Sequence, residues 1–117
     1  MRAKLKAVNE KSTKMIIVSF LDETKTAEDI KTMKWTLTDT SGNVINSRED
    51  EVVVDPGSVE TIVLSGDDLA IVGSGGNEER LFTVEATYDS TLGNDFPLNN
   101  EAIFTVIDLT AIENLEV

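Results

Sequence analysis

A chain of 117 residues is long enough for one domain with a core of its own, and its 22 acidic against 10 basic side chains leave a formal net charge of −12. No histidine and no cysteine occurs, which removes disulfides, thiol nucleophiles, Ser-His-Asp and Cys-His triads and nearly all transition-metal ligand sets. No apolar stretch approaches the ~20 residues of a membrane helix, and Arg2, Lys4 and Lys6 are followed by Asn9, Glu10 and Lys11, not by the apolar segment of a secretory signal.

Synthesis and folding in the cytoplasm are therefore expected. Charge is unevenly spread. Residues 1–14 carry five basic side chains, Arg2, Lys4, Lys6, Lys11 and Lys14, against Glu10, whereas from residue 49 onward sixteen acids face Arg80 alone. An acidic body repels a phosphate backbone, so no nucleic-acid partner is expected. Protein partners are expected instead, with the basic start, residues 1–6, meeting an acidic neighbour such as a second copy of the chain.

Taken in chain order, residues 5–8 read as a short edge strand and residues 9–13 as a polar turn. In residues 15–22, Ile16, Val18 and Phe20 fall on one face and Met15, Ile17 and Leu21 on the other. Apolar residues on both faces predict a central strand. Residues 23–31 are polar and charged apart from Ala27 and Ile30, and read as a loop or at most one helical turn. Residues 33–39 alternate, with Met33, Trp35 and Leu37 pointing inward, and Trp35 is assigned to the core. Thr40, Ser41, Gly42 and Asn43 predict a turn that folds Val44 and Ile45 back as a hairpin.

Residues 51–54 form a short strand ended by Asp55, Pro56 and Gly57, where proline presets φ and glycine is expected to take a left-handed position. Residues 59–64 are the next strand. Residues 65–71 predict a single helical turn near 67–71, with Ser65 or Asp67 accepting its first free N–H groups. Residues 73–77 are glycine-rich and read as an exposed connection; they lack the lysine and helix of a phosphate loop. The cleanest alternation in the chain follows at residues 81–88, where Phe82, Val84, Ala86 and Tyr88 oppose Thr83, Glu85 and Thr87. Residues 89–97 read as a loop, residues 102–109 as the last strand, and residues 110–117 as a tail carrying Ile112, Leu115 and Val117.

Seven to eight short strands with frequent turn signals and no helical period predict an all-β, two-sheet antiparallel sandwich in a single domain, 1–117; a small barrel is the structural alternative. Of chemical constellations, adjacent acids occur at Asp22-Glu23, Glu28-Asp29, Asp67-Asp68 and Glu78-Glu79. Each pair falls in an expected loop or turn, where solvated acids are ordinary, and the aromatic residues that would hold a sugar are scarce. Calcium is the one metal this composition permits, with Asp67-Asp68 and Asp89 with Asp95 as its candidates, but no EF-hand spacing is present. Neither catalytic residues, cofactor nor metal site is assigned. The candidates for protein contact are Arg2, Lys4 and Lys6 at the start and Ile112, Leu115 and Val117 at the end; the apolar tail either packs on the sandwich edge or docks on a partner.

Three stretches, residues 6–13, residues 68–71 with 77–88, and residues 100–106 with 108–109, make the chain resemble the small immunoglobulin-like proteins encoded among the virion genes of tailed bacteriophages and prophages. Tyr88 ends its strand instead of starting it, and the disulfide cysteines of antibody domains are missing. The resemblance implies a non-enzymatic structural or accessory protein of a bacteriophage particle, at the capsid surface, neck or tail, present in multiple copies and located in the virion. Two other expectations stay open: a free immunoglobulin-like binding or regulatory module in or on the bacterial cell, and an inhibitor whose acidic surface imitates DNA.

Overall fold

The computed structural model describes residues 3–26, 30–73 and 76–112. Among these, eight strands and one 3₁₀ turn form two sheets: β1 (Ala3–Lys4), β2 (Val8–Asn9), β3 (Thr13–Ser19), β4 (Thr32–Thr38), β5 (Glu51–Val52), β6 (Val59–Ser65), the turn Gly66–Leu69, β7 (Glu78–Ser90) and β8 (Gly93–Ile107). The larger sheet has the order β1-β8-β7-β4-β5, with β2 also paired to β8; the smaller holds β3 and β6 alone. Pairing β3 with β6 in one sheet, and β4 with β7 and β7 with β8 in the other, is the B–E against C–F–G connectivity of an immunoglobulin-type sandwich. The start of the chain departs from antiparallel pairing, since β1 and β2 run parallel to β8.

Alternation decides which side chains enter the space between the sheets. Met33, Trp35 and Leu37 of β4, Phe82, Val84, Ala86 and Tyr88 of β7 and Phe104 and Val106 of β8 are all buried, and they meet Ile16, Ile62 and Leu64 from the smaller sheet. Trp35 lies in this core, its ring 5.3 Å from that of Phe82. Five strand positions face only two, so residues outside the strands must complete the core. Ile45, Leu69 and Ile71 do so, each at most 4% exposed.

Several expectations are corrected. The strand at residues 15–22 is not central: among the described residues β3 pairs only with β6, and Met15 and Ile17 on its second apolar face are each 65% exposed. The apolar second face is a solvent surface here, which alternation alone cannot distinguish from a buried one. Residues 89–97 are not a crossing loop. β7 and β8 continue through them as a long hairpin turning at Thr91 and Leu92, with a register shift between Tyr88 and Ser90. Pro97 is accommodated inside β8, opposite Thr87, because β1 flanks the other edge of β8 only from Ala102 onward. Thirteen residues of β7 at ~3.4 Å each span ~44 Å, and this hairpin sets the 53 × 22 × 22 Å outline.

Near Pro56 the left-handed position is taken by Asp55 (φ 50), not Gly57. The 3₁₀ turn sits where expected, with Ser65 as its N-cap in a capping box, and the Ser65 N–H donates to the Asp68 carboxylate at 3.1 Å. The 40–43 turn forms as read, with Gly42 at φ 90 and the Asp39 N–H bonded to Asn43 O. Part of the glycine-rich connection, residues 74–75, lies outside the described residues.

Candidate interaction surface

The polar groups buried near the 3₁₀ turn are spent on holding loops. Residues 45–48 form a tight turn with two consecutive left-handed residues, Asn46 (φ 51) and Ser47 (φ 58), closed by the Arg48 N–H on Ile45 O. The turn carries Asn46 and Arg48 to Asp68, which is 1% exposed. Asp68 accepts from Arg48 Nε at 2.8 Å, Arg48 Nη2 at 3.3 Å and Asn46 Nδ2 at 2.8 Å as well as from Ser65. Burial alone would push the Asp68 carboxyl up, but the bonds from Arg48, Asn46 and Ser65 together hold it below its ordinary value. Arg48 also reaches Glu51 at 2.7 Å and stacks 5.7 Å from the Trp35 ring centre. With its oxygens engaged in this way, Asp68 is a clamp between loops.

Glu78 and Arg80 make a second clamp. Arg80, 1% exposed, donates to Glu78 at 2.6 Å and to Ala70 O at 2.9 Å, while Glu78 accepts from the Val72 and Gly73 N–H groups. Burial opposes the Glu78 charge, and the bonds from Arg80, Val72 and Gly73 more than offset it, so its carboxyl lies below the usual range. Glu10, 2% exposed, accepts the Leu109 N–H at 2.6 Å and ties the chain beyond β8 to the turn before β3.

The calcium candidates are engaged otherwise. Lys31 Nζ stands 2.7 Å from Asp95 and 3.6 Å from Asp89, and the hydrogen bond to Asp95 raises the lysine above its usual value. Asp67 is exposed and 4.0 Å from Lys11. Among the described residues, no three potential ligands converge on a metal position.

What the structure does leave open is one face and two edges of the smaller sheet. On its outer side Thr13, Met15, Ile17 and Ser19 lie beside Ser65, Val63, Thr61 and Val59, in a register without a break. Met15 and Ile17 are each 65% exposed, Val59 55% and Val63 51%. Not one of these eight residues is charged, in a chain of which 27% is charged. Their exposure follows from parity: Ile16, Ile62 and Leu64 point into the core, so their neighbours point out.

The edges follow from two backbone bonds. The Phe20 N–H donates to Ser58 O and the Gly66 N–H to Ser12 O, so in this ladder the even-numbered residues of β3 turn their amides toward β6. The amides of Thr13, Met15, Ile17 and Ser19 point away, onto an edge with no strand against it among the described residues. Beside that edge the sheets part in a cleft of about 130 Å³ between β3 and β1, floored by Phe82, Val84 and Ala102. No protein-family model, curated protein or solved structure matches this chain.

The residues singled out from sequence fall unevenly on this surface. Lys4 lies in β1 and Lys6 just after it, so they are part of a sheet edge, and Lys14 Nζ donates to Lys6 O at 2.7 Å. Ile112 is 40% exposed beyond β8. Arg2, Leu115 and Val117 lie outside the described residues. The β3–β6 face was missed by sequence reasoning, although its signal was present: an apolar second face on β3 and Val59 and Val63 opposite the core positions of β6. Among the described residues no helix is long and apolar enough to cross a membrane.

Proposed function

We propose that this chain is a non-enzymatic assembly module that works by protein–protein contact through the β3–β6 sheet, and that it serves as a structural or accessory protein of a bacteriophage particle. The observation that carries the assembly role is the uncharged, half-apolar outer face of that sheet. Solvent-facing strands ordinarily carry charged or strongly polar residues, and exposed strand edges are ordinarily blunted; this face has Met15, Ile17, Val59 and Val63 in contiguous rows instead. The buried ionic side chains Asp68, Arg80 and Glu10 each hold a loop by hydrogen bonds. The virion location rests on the resemblance of the three stretches given above.

Quantitative mass spectrometry of purified, nuclease-treated particles from the phage or lysogen that encodes the chain tests this role. Recovery in fixed ratio to the major capsid protein supports it. Absence from particles, with the chain present in the infected cell, refutes the virion role and favours the free binding module.

A further inference from the structure

Resting on the reading of the chain as an assembly module, we propose that the partner of the β3–β6 outer face is the same face of a second copy, so that two chains stack through their smaller sheets as a closed, twofold dimer. The eight outward residues of this face are all exposed and stand in one uninterrupted register. A twofold contact requires a surface that matches itself, and this one does. An axis laid across the strands at the level of Ile16 brings Met15 to Ile17 of the second copy and Thr13 to Ser19 of the second copy, apolar on apolar and hydroxyl on hydroxyl.

The area matches what a stable pair needs. Met15 and Ile17 are each 65% exposed, Val59 55% and Val63 51%. With the four hydroxyl residues the face offers ~600 Å² on each copy, so a stacked pair covers ~1,200 Å², the lower bound of a specific interface. Two sheets packed face to face interleave their facing side chains. The flexible Met15 thioether fills irregular gaps in such a layer, and no charged group is stripped of water when it forms, because the face carries none.

The distribution of charge points to a copy of this chain as the occupant. Strands β5, β7 and β8 of the larger sheet carry Glu51, Glu79, Glu85, Asp89, Asp95 and Glu101, whereas β3 and β6 carry one acid, Glu60. Parity turns Glu60 away from the outer face, and its carboxylate accepts the Gly57 N–H at 2.9 Å. On a body of net charge −12, two copies repel wherever the larger sheets approach each other. Stacking the smaller sheets instead orders the layers larger, smaller, smaller, larger. At ~10 Å per layer the two larger sheets then stand ~30 Å apart, about three Debye lengths at ~0.1 M salt. Their repulsion is screened at that distance. A basic partner would gain nothing from this face, since the acids that would attract it lie on the other sheet.

Sedimentation velocity of the full chain over a wide concentration range, at low and high salt, tests the contact. An equilibrium that stops at two copies and persists in high salt is expected. Met15→Lys/Val59→Lys is expected to sediment as a monomer. Val52→Lys/Val54→Lys, at positions 74% and 80% exposed beside the far edge of the larger sheet, is expected to keep the dimer, and circular dichroism verifies that both variants remain folded. The chain has no cysteine, so Thr61→Cys supplies a single thiol at mid-face, and a short bismaleimide is expected to link two such chains. Ser41→Cys, in the turn after β4, is expected to give no linked pair. A wild-type chain that stays monomeric throughout overturns the proposal, as does association that survives Met15→Lys/Val59→Lys or linkage that proceeds equally through Ser41→Cys. Recovery from particles of a chain that is strictly monomeric in solution removes this contact while leaving the assembly role standing. A dimer that is absent from particles supports the contact and refutes the virion role.

Discussion

Replacing Asp68 by alanine probes the clamp that roofs the core. The carboxylate is 1% exposed and receives four hydrogen bonds, three of them from Arg48 and Asn46. Removing one partner of a buried ion pair costs ~3–5 kcal/mol, chiefly because the other charge is left without compensation. Here the abandoned Arg48 is 37% exposed and keeps Glu51, so water recovers part of the loss and the expected cost is about 3 kcal/mol. In a chain of this size that corresponds to a fall in melting temperature of roughly 10–15 °C.

The cost also depends on pH, with a definite sign. The folded-state pKa of Asp68 is depressed, so its contribution is present above the unfolded value of ~3.9 and is lost as pH falls through the lower folded value. The difference between wild type and Asp68→Ala is therefore full near pH 7 and shrinks only in acid, below about pH 4. Urea titrations followed by Trp35 emission and far-ultraviolet dichroism measure it, and Trp35 reports locally because Arg48 lies over its ring. A loss below ~1 kcal/mol at neutral pH, the worth of one neutral hydrogen bond, would refute the clamp. So would a loss of equal size at neutral pH and near pH 2.

Three further outcomes are expected. Leu37→Ala, at a fully buried position between Trp35 and the 45–48 turn, should cost about 3 kcal/mol in chemical denaturation. Gly93→Ala would set a methyl group 2.9 Å from the Phe96 ring, disturb its edge contact with Tyr88 at 5.7 Å and destabilise by about 1–2 kcal/mol, read as a shift in the urea midpoint at unchanged slope. Met15→Lys with Val59→Lys, both on the uncharged face and not opposite each other, should change stability by less than ~0.5 kcal/mol while removing the chain from particles; a large loss of stability would mean that this face is packed in the folded monomer.

Much of the fold was legible because it rests on local pattern. Alternation in β4 and β7 placed Met33, Trp35, Leu37, Phe82 and Val84 in the core, and period-two writing leaves a strand no other way to bury them. Gly42 and its neighbours marked the hairpin after β4, and the acid-rich stretch at 65–71 marked the single 3₁₀ turn. The absence of histidine and cysteine likewise bounded the chemistry before any geometry was known.

Tertiary structure decided the rest. Whether the second apolar face of β3 is buried depends on how many layers lie above it, and a pattern local to one strand carries no information on that. The continuation of β7 and β8 through residues 89–97 depends on pairing across a hairpin, which outweighs the weak strand preference of asparagine, aspartate and proline there. Asp67 and Asp68 are adjacent and alike in sequence, yet one is solvated and the other buried. The difference comes from Arg48, twenty residues away, brought beside Asp68 by a turn with two left-handed residues. What a side chain does in this protein is set by which charge the fold carries to it, and that is a property of three dimensions.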